Sequence, residues 1–227
     1  MGLISLSKGK NKVNQILEKK IYDISVELGT ESIDYPGDTP YSRNLIMNAG
    51  DSFCNLSRLE MSCHSGTHLD VPYHFYSEGK KLDEFAVTDF IKRVQVIEVT
   101  NPIEVSETDV DWSKIRPGEG VLFKTRNSTE GLVNSGEFVA DFVYLSPGAA
   151  KRVNECGASL VGIDYISIEK YGVEHFHSHL EVLGKDVIVL EAVNLSKVPE
   201  GYYTLMCLPL KLNGADASPV RAILIAD

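Results

Sequence analysis

Four side chains able to hold a metal or move a proton fall within one short run, His64-Ser65-Gly66-Thr67-His68-Leu69-Asp70-Val71-Pro72-Tyr73-His74. The whole chain has only 6 histidines, so three of them here is a marked concentration. Imidazole nitrogens combined with a carboxylate are a standard ligand set for zinc and other first-row metals. Every spacing among His64, His68, Asp70 and His74 is even, so an extended strand would aim all four at one face. That strand would part the first from the last by about 33 Å at roughly 3.3 Å per residue. Ligands of one zinc bring their donor atoms to about 2 Å from the ion. A shared site therefore requires the chain to curl. Gly66 and Pro72 stand where a curl is needed, glycine through its permissive dihedrals and proline by fixing a turn. A continuous helix fails, because it aligns His64 with His68 but rotates Asp70 and His74 away, and Gly66 and Pro72 weaken it. The density of the run disfavours the competing reading of unrelated surface and core histidines.

Further along, His175, His177 and His179 alternate with Phe176 and Ser178. Alternation fits an exposed polar strand face, and that is the preferred reading for His175 and His177. Glu191 ends the apolar run Val187-Ile188-Val189-Leu190, which reads as a buried strand. A carboxylate there needs a partner, either a metal or a basic side chain, because desolvating a lone charge is costly. Cys63 beside His64 raises the idea of a thiolate nucleophile, but neighbours on a strand face opposite ways, so Cys63 is expected to pack inward. No Gly-x-Ser-x-Gly elbow and no Gly-x-x-x-x-Gly-Lys loop is present, so a serine hydrolase elbow and a phosphate-binding loop are set aside.

These residues must be positioned by strands. From Ile21 the chain carries apolar runs of strand length at 21–26, 55–61, 94–99, 120–124, 142–145, 160–163, 187–190, 203–208 and 222–225. Most lack strict alternation, as expected for strands covered on both faces. Ser146, Pro147 and Gly157 punctuate a helix as N-cap, first turn and stop. Its place between two apolar runs reads as a βαβ unit. A second helix is expected at 107–115 behind Ser106, and a short one at 13–19 closes a polar leader, 1–20. Turns fall at Tyr35-Pro36-Gly37-Asp38 and Arg116-Pro117-Gly118-Glu119.

At 227 residues, the chain can bury a full core without a structural metal or disulfides, which leaves any metal free for catalysis. The net charge of −10 argues against nucleic acid and anionic membrane surfaces as partners and leaves small molecules. Cys54, Cys63, Cys156 and Cys207 form no Cys-x-x-Cys pair and suit a reducing compartment. No signal peptide and no apolar segment of membrane-spanning length is seen, so the reading is cytoplasmic.

The histidine-rich run resembles the signature of the cyclase-like metal-dependent hydrolases, the family of bacterial kynurenine formamidases and isatin hydrolases. The likeness continues through Ile21-Tyr22-Asp23-Ile24-Ser25, Tyr35-Pro36-Gly37-Asp38 and Val121-Leu122-Phe123-Lys124-Thr125. It extends to Gly162-Ile163-Asp164 with Ser167 and to Ser218-Pro219-Val220-Arg221-Ala222. The resemblance implies one α/β domain over 21–227, a mixed sheet with flanking helices of the swivelling β/β/α kind, assembled as a dimer or tetramer. It also implies two divalent metals per chain, zinc or manganese. By that resemblance His64, His68 and Asp70 bind one metal, Asp70 bridges to the second, His179 is the distal ligand, Glu191 is the second bridging carboxylate, and His74 is the catalytic acid/base. The implied reaction is hydrolysis of an amide C–N bond by a metal-activated water, with an aryl formamide as substrate. The alternatives are a cyclic amide, imide or lactone hydrolase using the same site, and a non-catalytic metal- or ligand-binding module. Tyr35 stands where the kynurenine formamidases of the family place a substrate-pocket Trp. It would supply a smaller stacking face with a hydroxyl.

Overall fold

The computed structural model describes residues 18–227. Most of the expected leader helix lies outside the described residues, and residues 18 and 19 form a turn and bend rather than a helix. The strands are β1 (Ile21–Asp23), β2 (Ser42–Met47), β3 (Leu56–Glu60), β4 (His68–Asp70), β5 (Ile91–Glu98), β6 (Glu104–Val105) and β7 (Gly120–Lys124). After α1 (Arg126–Thr129) come β8 (Tyr144–Leu145), α2 (Pro147–Glu155), β9 (Leu160–Ile163), α3 (His177–Leu183) and β10 (Ile188–Glu191). The chain closes with β11 (Gly201–Met206), β12 (Ala217–Pro219) and β13 (Ile223–Ala226).

Nine strands form one mixed sheet in the order β1-β13-β11-β5-β7-β9-β10-β4-β12. β5, β7, β9 and β10 run parallel in its centre, and both flanks are antiparallel. The central strands send alternate residues into two cores. Val121, Phe123, Val161, Ile163 and Val189 pack with α2 and α3, whereas Leu122, Leu160, Ile188 and Leu190 pack on the opposite face. Burial on both faces explains why these runs are continuously apolar. The single mixed α/β domain expected from the sequence is the fold observed.

α2 has the expected punctuation. Ser146 Oγ accepts the Ala149 N–H at 3.1 Å, Pro147 occupies the first turn, and Gly157 takes φ +74° just beyond the end. The βαβ reading around it needs correction, because β8 pairs with β6 in a separate two-stranded sheet, while β9 lies in the large one. The helix expected at 107–115 is absent. Asp109 accepts the Ser106 N–H and Trp112 donates its indole N–H to the Glu107 carbonyl, so local side-chain bonds replace the helical ladder. Only a 3-10 turn, Trp112–Lys114, forms there.

Candidate metal centre

β4 and the end of β10 build the floor of the site. Their antiparallel register sets Glu191 opposite His68 and Val189 opposite Asp70. Residues two apart on a strand share a face, so His68, Asp70 and Glu191 point one way, toward α3, while Leu69 and Leu190 enter the opposite core. His64 precedes β4 on a turn in which Gly66 takes φ +61°. His74 follows β4 on the 3-10 turn Pro72–His74. The curl required by the spacing is thus made at both ends of β4. His179 comes from α3, which packs against β10.

The sequence-selected residues converge. Ligand atoms of His64, His68 and Asp70 lie within 4.8 Å of one another, as do those of Asp70, His179 and Glu191. Asp70 belongs to both groups. His64 Nδ1 is 2.8 Å from Asp70 Oδ1, His68 Nε2 is 3.2 Å from Glu191 Oε2, and His179 Nε2 is 3.3 Å from Glu191 Oε1. The nitrogens turned away from this centre are held by the fold. His68 Nδ1 meets the Gly66 carbonyl at 2.8 Å, His64 Nε2 meets Asp216 Oδ2 at 3.0 Å, and His179 Nδ1 lies 3.3 Å from Glu169 Oε2. Such outer partners fix which nitrogen carries the proton and which faces inward. Glu169 also accepts the N–H groups of Ser178 and His179 and so anchors the start of α3.

A divalent metal fits these donors on an observation internal to the site. Both Asp70 carboxylate oxygens and His68 Nε2 are buried and take no hydrogen bond, although they face other donors and acceptors at short range. Buried polar atoms are ordinarily paired, and this orphaned set faces one shared volume. The metal-free protein meets the same electrostatic demand with protons. Burial works against a charged His64 ring, but the Asp70 charge 2.8 Å away and the bond to Asp216 outweigh it and push His64 up to about 11. Burial likewise opposes His179, yet Glu169, Glu191 and Asp70 push it up to about 9. Burial also disfavours a charged Asp70, but the facing His64 and His68 rings hold its carboxyl below the ordinary range.

Above these donors lies a cleft of about 200 Å³ lined by Tyr35, Asp38, His64, His68, His74, Phe75, Ile166, Ser167, Phe176, His179 and Glu191. Its walls are aromatic. Tyr35 is braced edge-on by Phe138 and Tyr171, and Phe75 stacks on the His179 ring at 4.9 Å. His74 sits at the rim, its ring 4.1 Å from that of His64.

His175 and His177 are exposed and outside this cluster, but not on a strand: His175 lies in a loop and His177 opens α3. Cys63 is half-buried on a turn, and burial pushes its thiol up. Asp216 and Glu169 are site residues that sequence reasoning missed. Glu169 follows the apolar run Tyr165-Ile166-Ser167-Ile168, the same signal that singled out Glu191, whereas Asp216 sits in a polar turn and offers no such signal.

A family described as "Putative cyclase" matches residues 22–170. A kynurenine formamidase of Bacillus cereus is 34% identical over 203 residues, covering 89% of this chain and 95% of the relative. A protein described as a predicted metal-dependent hydrolase from Bacillus stearothermophilus superposes with a TM-score of 0.78 at 30% identity, covering 91% of this chain and 98% of the other. Isatin hydrolase A of Labrenzia aggregata shares the fold with a TM-score of 0.78 at 21% identity, over 95% and 99% of the two chains. With the histidine–carboxylate centre formed on β4, β10 and α3, this chain belongs to the cyclase family of metal-dependent hydrolases.

Proposed function

We propose that this protein hydrolyses the amide C–N bond of an aryl formamide, of the N-formylkynurenine kind, at a centre of two divalent metals. The observation that carries this reading is the sharing of Asp70 between the two donor groups, beneath an aromatic cleft with His74 at its rim. In this reading His64, His68 and Asp70 would hold one metal and Asp70, His179 and Glu191 the other, with Asp70 common to both groups and Glu191 facing both His68 and His179. Zinc and manganese both suit imidazole and carboxylate donors. When bound, the metals supply Lewis acidity and a water of lowered pKa.

The remaining chemistry belongs to the chain. Tyr35, Phe75 and Phe176 pack an aryl ring and keep bulk water from the formyl group. The tight cleft admits a small acyl group, and an aryl amine leaves more readily than an alkyl one. His74, on the rim and a member of neither of those two donor groups, delivers a proton to the departing nitrogen. The relatives of at least 30% identity named kynurenine formamidase support this substrate class.

The reading includes a homo-oligomer, a dimer or tetramer, in a cytoplasmic setting. Support for assembly comes from the β2–β3 hairpin, which among the described residues pairs with no other strand and exposes Leu45, Ile46, Phe53, Leu56 and Leu59. Four free thiols suit a reducing compartment. The test of function is a hydrolysis panel of aryl formamides, isatins and lactones, run with zinc and with manganese. Turnover of formamides at the highest kcat/KM supports the reading. Preferential opening of isatin or a lactone assigns the same centre to a cyclic substrate instead.

A further inference from the structure

We propose that Asp216 is a positioning residue that orients two imidazoles at once, the metal-facing ring of His64 and the proton-transferring ring of His74. Its Oδ2 atom lies 3.0 Å from His64 Nε2 and 3.7 Å from His74 Nδ1. The geometry assigns a tautomer to each ring. With Nε2–H donated to Asp216, a metal-loaded His64 would keep its Nδ1 lone pair for the ion, on the side that faces Asp70 at 2.8 Å. With Nδ1–H directed at the same oxygen, His74 is left with Nε2 for the substrate. The 3.7 Å separation is longer than a hydrogen bond, and contacts of this kind tighten when substrate is bound.

The fold places Asp216 for this task. β12 pairs with β4, setting Ala217 opposite Asp70, and the Asp216 carbonyl accepts the Val71 N–H at 3.1 Å. The backbone is thereby tied beside the donor strand, and one carboxylate oxygen reaches a nitrogen of each ring. Asp216 is 152 residues away from His64 in sequence, so this sheet edge alone brings them together. The arrangement follows the logic by which a buried aspartate orients a catalytic histidine. Here one carboxylate serves both the metal-binding turn and the acid/base, so a shift of either ring is felt by the other.

The kinetic part rests on His74 acting as acid/base in formamide hydrolysis; the tautomers do not. The experiment is therefore read in two ways. Nitrogen-15 NMR of the zinc-loaded wild-type protein is expected to show the proton on Nε2 of His64 and on Nδ1 of His74. The opposite tautomer on either ring overturns the proposal, whatever the enzyme hydrolyses. Asp216→Ala keeps the backbone bond from Val71, and at saturating zinc it should lower kcat by roughly 10–100-fold with KM little changed. In a His74→Ala background, the same substitution should cost almost no further kcat. Losses that multiply in the double variant, or a kcat untouched in Asp216→Ala, overturn the coupling through His74. Should Asp216→Ala fail to fold, the wild-type tautomers still decide. If no formamide is turned over but the tautomers are as stated, Asp216 stands and the functional reading falls.

Discussion

His68 and His74 belong to one short run, yet their surroundings differ enough to separate their roles by mutation. His68 is buried, its Nδ1 is fixed by the Gly66 carbonyl, and its Nε2 faces Asp70 and Glu191. His74 is half-buried at the cleft rim. His74→Ala is expected to keep bound metal and lose turnover by roughly 10²–10⁴-fold, whereas His68→Ala loses metal and activity together. Metal content and kcat measured on both variants check this, and an emptied site in His74→Ala makes that residue a ligand. Proton competition gives a second prediction. In the metal-free protein His64 stands at about 11 and His179 at about 9, so both rings are protonated at neutral pH. Ligation requires them neutral, so zinc affinity should rise with pH, by roughly tenfold per unit for each proton displaced. Competition with a chelator between about pH 6 and pH 8 measures this slope, and a flat profile contradicts it. His64, His68 and Asp70 were legible in the sequence because even spacing and a curl-permitting glycine are local signals, and Glu191 because it ends a buried apolar run, whereas His179 was set apart from His175 and His177 only by the family resemblance. Asp216 was not legible, because only the β12–β4 register brings it to His64.

At the scale of elements, the site depends on how β4 is entered and left. Gly66 adopts φ +61°, and a Cβ there would meet Leu28 Cδ2 at 2.7 Å. Gly66→Ala should therefore cost about 1–2 kcal/mol from the left-handed conformation, and more from the contact. Since the Gly66 carbonyl orients His68, zinc affinity should fall as well. Thermal unfolding of the metal-free variant and a zinc titration check the two effects, and an unchanged protein contradicts both. The nine expected strand runs all contain strands; at 120–124, 160–163 and 187–190 covering on both sheet faces leaves an unbroken apolar signature, whereas 55–61 holds the exposed β3. β4 and β12 carried no such signature: each has 3 residues, and β4 is largely donors. α3 was concealed in a different way. Its alternating histidines imitate a strand, and Phe176 gives no side-chain cap; the Glu169 carboxylate, outside the helix in the preceding loop, accepts the Ser178 and His179 N–H groups instead. At 107–115 the error ran the other way, since Asp109 and Trp112 bond locally and leave no ladder to form.

Across the whole molecule, the parallel centre of the sheet ends at Glu191, so the candidate metal centre lies at the carboxyl end of β10, where ligands commonly gather in α/β sheets. The β2–β3 hairpin projects from the same chain segment that links Tyr35 to His64, and Asp38 accepts the Ser62 hydroxyl across its base. Its apolar side chains on an exposed arm predict self-association. Light scattering should report a dimer or larger species, and Leu45→Asp with Leu59→Asp should yield a folded monomer; a wild-type monomer contradicts this. Residue types and spacing made the single domain and most donors legible, whereas of the arm only the run at 55–61 was read as a strand, and β2, with polar residues leading its apolar ones, gave no distinct signal. The centre itself is tested most directly by titrating zinc or manganese into chelator-treated protein while following hydrolysis of N-formylkynurenine. Activity is expected to be absent at the start and to saturate at about two equivalents of metal per chain. Full hydrolysis before any metal is added, or no stoichiometric binding at all, contradicts the assignment of His64, His68, Asp70, His179 and Glu191 as a catalytic metal centre.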